Sequence, residues 1–239
     1  SFFTWGGFFA VVPLITVHYV DQLGWTAASI GAVLAIRQFL QQGISSITGA
    51  VADRIGAKPL ICFGMAIRIA SFLMVAAADN YLVLLAAMAL MGIGGGFFEA
   101  PEQAAIVAMT TPDERRRFFS LNGVVAGLGM SLGTQAGAFA LGANFSTVAL
   151  VGAGAFTIVF LINLIFLPPV NVSIGGRSAT AGLKLAITDR VFMTFNILLL
   201  GYWFMWAQYS ISIPLIATNI SGSQAVAWAY AVNSAVMIS

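Results

Sequence analysis

Charged residues, cysteine and histidine are all scarce in this chain. Only 8% of its 239 residues are charged and 60% are hydrophobic, whereas a soluble domain has about 25% charged residues. Such a composition cannot form a water-exposed surface, so hydrocarbon must solvate most of the outside of the protein. The single cysteine, Cys62, excludes an internal disulfide, and the single histidine excludes a multi-histidine metal site. We expect neither a metal nor a cofactor.

The apolar residues are gathered in long runs. Inside a bilayer the backbone must satisfy its own hydrogen bonds, which leaves helices or a closed barrel. The runs are about 20 residues long and do not alternate as barrel strands do, so they predict helices. The pattern therefore predicts an all-α polytopic membrane protein with part of an eighth span near Gln224 and seven spans at residues 2–20, 27–52, 60–78, 82–109, 118–143, 148–167 and 191–218.

The basic residues are unevenly distributed between the connections. Eight of the ten lie after spans 2, 4 and 6, whereas the opposite connections hold Asp21 and Asp79 and neither lysine nor arginine. The positive-inside rule places the basic connections in the cytoplasm and the others outside. Nothing in this pattern supports nucleic-acid binding.

The connection at residues 168–190 is the longest, and it is rich in proline, glycine, serine and threonine. This composition is typical of a linker. We therefore predict an amino-terminal six-helix bundle at 1–167, a cytoplasmic linker at 168–190 and the start of a truncated carboxy-terminal bundle at 191–239. Because the chain opens at Ser1 and closes at Ser239 within apolar runs, we expect a fragment whose missing partner is the remainder of the second bundle.

Three ionisable residues, Arg68, Glu99 and Glu102, fall inside spans 3 and 4. Arg68 and Glu99 lie at a similar depth, about 15 Å from the cytoplasmic ends, and Glu102 is one turn closer on the same face. Each buried charge costs on the order of 3 kcal/mol unless it is paired or hydrated. One interpretation is an ion pair that locks the two helices together. The other is proton coupling, which two carboxylates facing one arginine would favour.

Polar and aromatic residues mark two candidate cavity walls. Arg37, Gln38 and Gln41 share one face of span 2, where they could line a polar substrate cavity or form interhelical hydrogen bonds. Trp203 and Trp206 belong to an aromatic stripe on span 7. That stripe could pack or contact lipid, or it could offer a flat surface to an organic cation.

Span 5 carries glycines at intervals of four residues: Gly129, Gly133 and Gly137. Small residues at this spacing let two helix backbones approach closely. These three residues, the glycine ladder, form either a static packing contact or a seam along which two bundles rock.

Scarce charge is also concentrated between spans 2 and 3, in G-A-V-A-D-R-I-G-A-K at residues 49–58. This stretch, predicted to be a short loop at the membrane face, resembles the signature loop G-x-x-x-D-R-x-G-x-K of the major facilitator superfamily. The matching positions are Gly49, Asp53, Arg54, Gly56 and Lys58. Residues 112–117 and the glycine ladder resemble landmarks of its drug/proton antiporter branch, although Gly133-Thr134 stands where that branch usually has Gly-Pro. Residues 13–15, 20–25, 37–43 and 53–59 are similar to one group of bacterial multidrug transporters.

The resemblance implies twelve helices in two halves, alternating access and proton-coupled export of amphipathic drugs or metabolites from the bacterial inner membrane. Small-molecule substrates, protons and the lipid bilayer would be the partners. It also implies that Asp53, with Arg54 and Lys58, forms a gate against the second half. An importer of sugars or other metabolites, and a non-transporting membrane sensor or structural protein, are the alternatives. We do not expect an enzyme, because the chain has one histidine and no H-E-x-x-H motif.

Overall fold

The computed structural model describes residues 1–169 and 188–221, together with 225–226, 228–229 and 232. Every secondary-structure element in this part of the chain is helical, which confirms the all-α prediction. The linker and the eighth span lie largely outside the described residues. The helices are α1 (Phe2–Thr16, continued by a π-helical segment at Val17–Gln22), α2 (Ala27–Ile55), α3 (Ala57–Ala76), α4 (Tyr81–Met109), α5 (Pro112–Leu141), α6 (Phe145–Phe166) and α7 (Arg190–Ser221).

Large apolar side chains face outward from the helices. Phe39 is 78% exposed and Phe139 is 90% exposed, which suits a hydrocarbon solvent. Among the described residues, five helices are long and apolar enough to cross a membrane: Phe2–Val20, Ala57–Ala76, Tyr81–Met109, Pro112–Leu141 and Phe145–Phe166. Helix α2 is not one of the five, because Arg37 and its neighbouring glutamines lower its hydropathy. The spans at α2 and α7 remain predictions.

Side-chain caps determine where several helices begin. Thr26, Asn80 and Asn144 accept hydrogen bonds from backbone amides in the first turns of α2, α4 and α6. At α5, Thr111 and Glu114 cap each other reciprocally, and Pro112 occupies the first turn. The start predicted at residue 118 is therefore wrong, because this capping box brings the charged run at 112–117 into the helix.

The helices pack around two central elements. Helix α4 lies between α2 and α3, and α1 lies between α5 and α6, while α3 also packs against α6. Leu14, Met65, Phe72 and Met88 are among the side chains buried in the shared core. This arrangement brings the polar residues of α2, α3 and α4 to a common place.

The glycine ladder of α5 contacts α1. A β carbon at Gly129 would lie 2.5 Å from the Phe2 carbonyl oxygen, and β carbons at Gly133 and Gly137 would overlap the carbonyl oxygens of Gly6 and Ala10. The two backbones are therefore as close as helices without side chains allow. The contact favours the packing interpretation, since it holds α5 directly against α1.

We expect Gly133→Ala to lower the free energy of unfolding by about 1–3 kcal/mol, because the new methyl group must displace the α1 backbone. Gly123→Ala on the same helix is the control, since a β carbon there meets no described atom within 4 Å. Thermal unfolding of the two purified variants in one detergent would check this. Equal melting temperatures would contradict the close contact.

Candidate functional site

The buried charges of α3 and α4 form an ion pair. The Nη2 atom of Arg68 lies 3.3 Å from Oε1 of Glu99, with the Arg68 side chain 3% exposed and that of Glu99 41% exposed. The ion pair that was one of the two interpretations is thus present. The arginine is enclosed by protein, whereas the carboxylate is accessible from one side.

Gln41 of α2 connects this pair to a second arginine. Its Nε2 donates to Glu99 Oε1 at 2.6 Å, and its Oε1 accepts from Arg37 Nη1 at 2.8 Å and from Arg68 Nη2 at 3.5 Å. The amide is oriented to match both charges: its oxygen accepts from the guanidinium groups, and its nitrogen donates to the carboxylate. We call Arg37, Gln41, Arg68 and Glu99 the charge cluster.

The cluster changes the charge count expected from the sequence. We expected two carboxylates to face one arginine. This expectation is wrong, because Arg37 reaches the same network through Gln41. Glu102 is half-buried one turn along α4, where Arg68 and Glu99 influence it electrostatically. With Glu102 included, two guanidinium groups face two carboxylates, so the formal charges balance.

Aromatic rings from three helices surround the arginines. The Cζ atom of Arg68 lies 5.9, 5.8 and 5.4 Å from the ring centroids of Phe8, Phe98 and Phe156. The Cζ atom of Arg37 lies 5.1 Å from the Phe8 centroid. These distances are typical of cation–π contacts, which stabilise a guanidinium group where water cannot.

A glycine run in α4, residues 92–96, makes room for the cluster. A β carbon at Gly95 would overlap the Arg68 guanidinium group and lie 2.8 Å from Gln41 Oε1. One at Gly94 would lie 2.8 Å from the Gly64 carbonyl oxygen, so α3 and α4 are also in backbone contact. This role was not predicted from the sequence, although the run G-I-G-G-G was visible as a signal.

The predicted cavity residues of α2 divide into two kinds. Gln41 is only 6% exposed and lies in the helix interface, which favours interhelical hydrogen bonding for that side chain. Arg37 and Gln38 are half-buried and joined by a hydrogen bond of 2.8 Å. Trp203 and Trp206 belong to helix α7, but their side chains lie outside the described residues.

The stretch at residues 49–58 is mostly helical. Helix α2 continues to Ile55 and α3 begins at Ala57, so the predicted loop contracts to Gly56, whose φ of 85° favours glycine. Gly49 is therefore inside α2 and not in a loop, which corrects the expectation. Arg54 is exposed in the last turn of α2, and Lys58 is half-buried in the first turn of α3. The Asp53 side chain lies outside the described residues.

The whole chain, residues 1–239, matches the sequence profile of the Major Facilitator Superfamily. Multidrug resistance protein MdtH from Photorhabdus laumondii subsp. laumondii is 39% identical over 229 residues, covering 95% of this chain and 57% of the relative. The proteins of the same name from Yersinia enterocolitica and Yersinia pestis are 39% and 38% identical over 233 residues, covering 97% of this chain and 58% of each relative.

The chain thus spans somewhat more than half the length of the curated relatives it matches. The apolar helices and the family match agree on a multi-pass membrane protein. From this agreement of sequence, fold and relatives it follows that the chain belongs to the Major Facilitator Superfamily.

Proposed function

We propose that this chain is the amino-terminal half, with the start of the second half, of a proton-coupled exporter of amphipathic drugs or metabolites in the bacterial inner membrane. The observation that carries the proposal is the charge cluster, in which an enclosed arginine is paired with a carboxylate that is 41% exposed. Relatives named multidrug resistance protein MdtH support drugs as the cargo. The proposed division remains 1–167, 168–190 and 191–239.

Glu99 is the residue we propose to carry the coupled proton. Its exposed side allows exchange with water, while its other contacts come from Gln41 and Arg68. A proton on Glu99 removes one negative charge and leaves the two arginines in excess. An unpaired buried charge is costly. The protonated cluster therefore favours a conformation in which the two arginines are hydrated or form new ion pairs.

Glu102 is the second proposed proton site, since it lies one turn from Glu99 and shares its electrostatic neighbours. We propose that Arg37 and Gln38, both half-buried, border the cargo cavity together with Trp203 and Trp206. Gln41 acts inside the charge cluster.

The gate is proposed at the α2–α3 junction. Asp53, Arg54 and Lys58 lie on either side of Gly56, the residue at which the chain turns between two helices. Their proposed partner is the second half of the same transporter. Rocking of the two halves would then couple this cytoplasmic gate to the charge cluster inside the membrane.

Proton release from energised vesicles tests the proposal. The intact transporter carrying this chain is placed in vesicles that are acidic inside, and lipophilic cations and quinolone-like compounds are added in turn. We expect at least one compound to release protons from the lumen as it is taken up. Sugar-driven proton movement would favour an importer instead, and no response to any compound would contradict transport of drugs.

A further inference from the structure

The ring of Phe8 on α1 lies over both arginines of the charge cluster. Its centroid is 5.1 Å from Cζ of Arg37 and 5.9 Å from Cζ of Arg68. Among the described residues, it is the only ring with a cation–π contact to both guanidinium groups. The other rings near Arg68 lie on α4 and α6, so Phe8 is the contribution of α1 to this site.

Two close contacts hold the α1 backbone immediately before Phe8. A β carbon at Gly6 would lie 3.3 Å from the Gly129 carbonyl oxygen of α5, and one at Gly7 would lie 2.8 Å from Cβ of Ala155 on α6. Helix α1 is therefore held against two neighbours immediately before Phe8. The ring is presented to the arginines by a rigid element, as a positioning group requires.

Arg37 and Arg68 need a positioning group because their two positive charges lie close together. Both donate to the same Gln41 oxygen, so two like charges share one neutral acceptor, and Glu99 is the carboxylate hydrogen-bonded to the cluster. The negative face of an aromatic ring attracts both cations without accepting a proton. Such a contact persists when Glu99 is neutral.

We propose that Phe8 is a positioning residue that keeps the guanidinium groups of Arg37 and Arg68 in place while Glu99 gains and loses its proton. It would thereby connect the α1–α5–α6 side of the bundle to the charges of α2, α3 and α4. This inference rests on the proposed function for its transport readout, but the contact itself can be tested independently.

The test replaces Phe8 with mono-, di- and trifluorinated phenylalanine in the intact transporter. Fluorine withdraws electron density from the ring face and largely preserves the shape of the ring, so the variants are expected to fold. We expect pH-driven drug uptake to fall stepwise, by about tenfold in total, while drug-for-drug exchange at equal pH is unchanged. The melting temperature should fall in the same order.

The same series at Phe72 is the matched control. That ring is fully buried on α3, and its described ring contact is Phe156, at 5.2 Å. Unchanged uptake and melting temperature in the Phe8 series, or equal losses at both positions, would overturn the proposal. If the wild type shows no pH-driven uptake, the proposed function fails, and the melting temperatures alone decide whether Phe8 holds the arginines.

Discussion

Arg68→Ala is expected to lower the free energy of unfolding by about 3 kcal/mol, at the lower end of the cost of breaking a buried ion pair. The lower end applies because Glu99 is 41% exposed and can be hydrated once its partner is lost. The change also empties the space between Phe8, Phe98 and Phe156. Thermal or denaturant unfolding of the purified protein measures the loss.

Arg116→Ala provides the control within the same chain. Arg116 and Asp113 form an ion pair with a distance of 2.7 Å, but their side chains are 84% and 88% exposed. Exposed pairs contribute little because water solvates both charges. If the two alanine variants unfolded at the same temperature, the buried pair would not contribute to stability as we describe.

Glu99→Gln is expected to reduce pH-driven drug uptake to the level measured without a pH gradient. Glutamine is nearly isosteric with glutamate, so its oxygen can still accept from Gln41 and Arg68, but it cannot exchange a proton. The fold should therefore survive while coupling is lost. Uptake into vesicles over a range of external pH values provides the measurement.

Asp113→Asn is the control for this loss. It removes a carboxylate that is 88% exposed and lies on α5, outside the charge cluster, so uptake should keep its wild-type pH dependence. Glu102→Gln reports separately on the second carboxyl group. Should the Glu99 and Glu102 variants both keep wild-type pH-driven uptake, neither group could be the coupling site.

Helix positions were predictable from the sequence because hydrocarbon selects long apolar runs. Boundaries were less predictable, since short-range contacts decide them. The Thr111–Glu114 capping box starts α5 before the apolar run begins. Gly56 alone separates α2 from α3, although the charged residues on both sides indicated a longer loop.

The pair between Arg68 and Glu99 could be predicted from depth alone. The role of Gln41 could not, because it depends on how far α2 and α4 approach and on the rotation of each helix. That approach is set by Gly92 and Gly96, where β carbons would overlap Arg37 or Ile44. Side-chain periodicity indicates which face is polar, but it does not indicate which partner meets that face.

One comparison tests the central claim most directly: drug-for-drug exchange at equal pH, measured beside pH-driven uptake, in the intact transporter carrying Glu99→Gln. Exchange requires cargo binding and alternating access but no net proton movement. We predict that exchange persists while pH-driven uptake is lost, because Glu99 carries the coupled proton and does not bind the drug. Retention of pH-driven uptake by the Glu99→Gln transporter would contradict it.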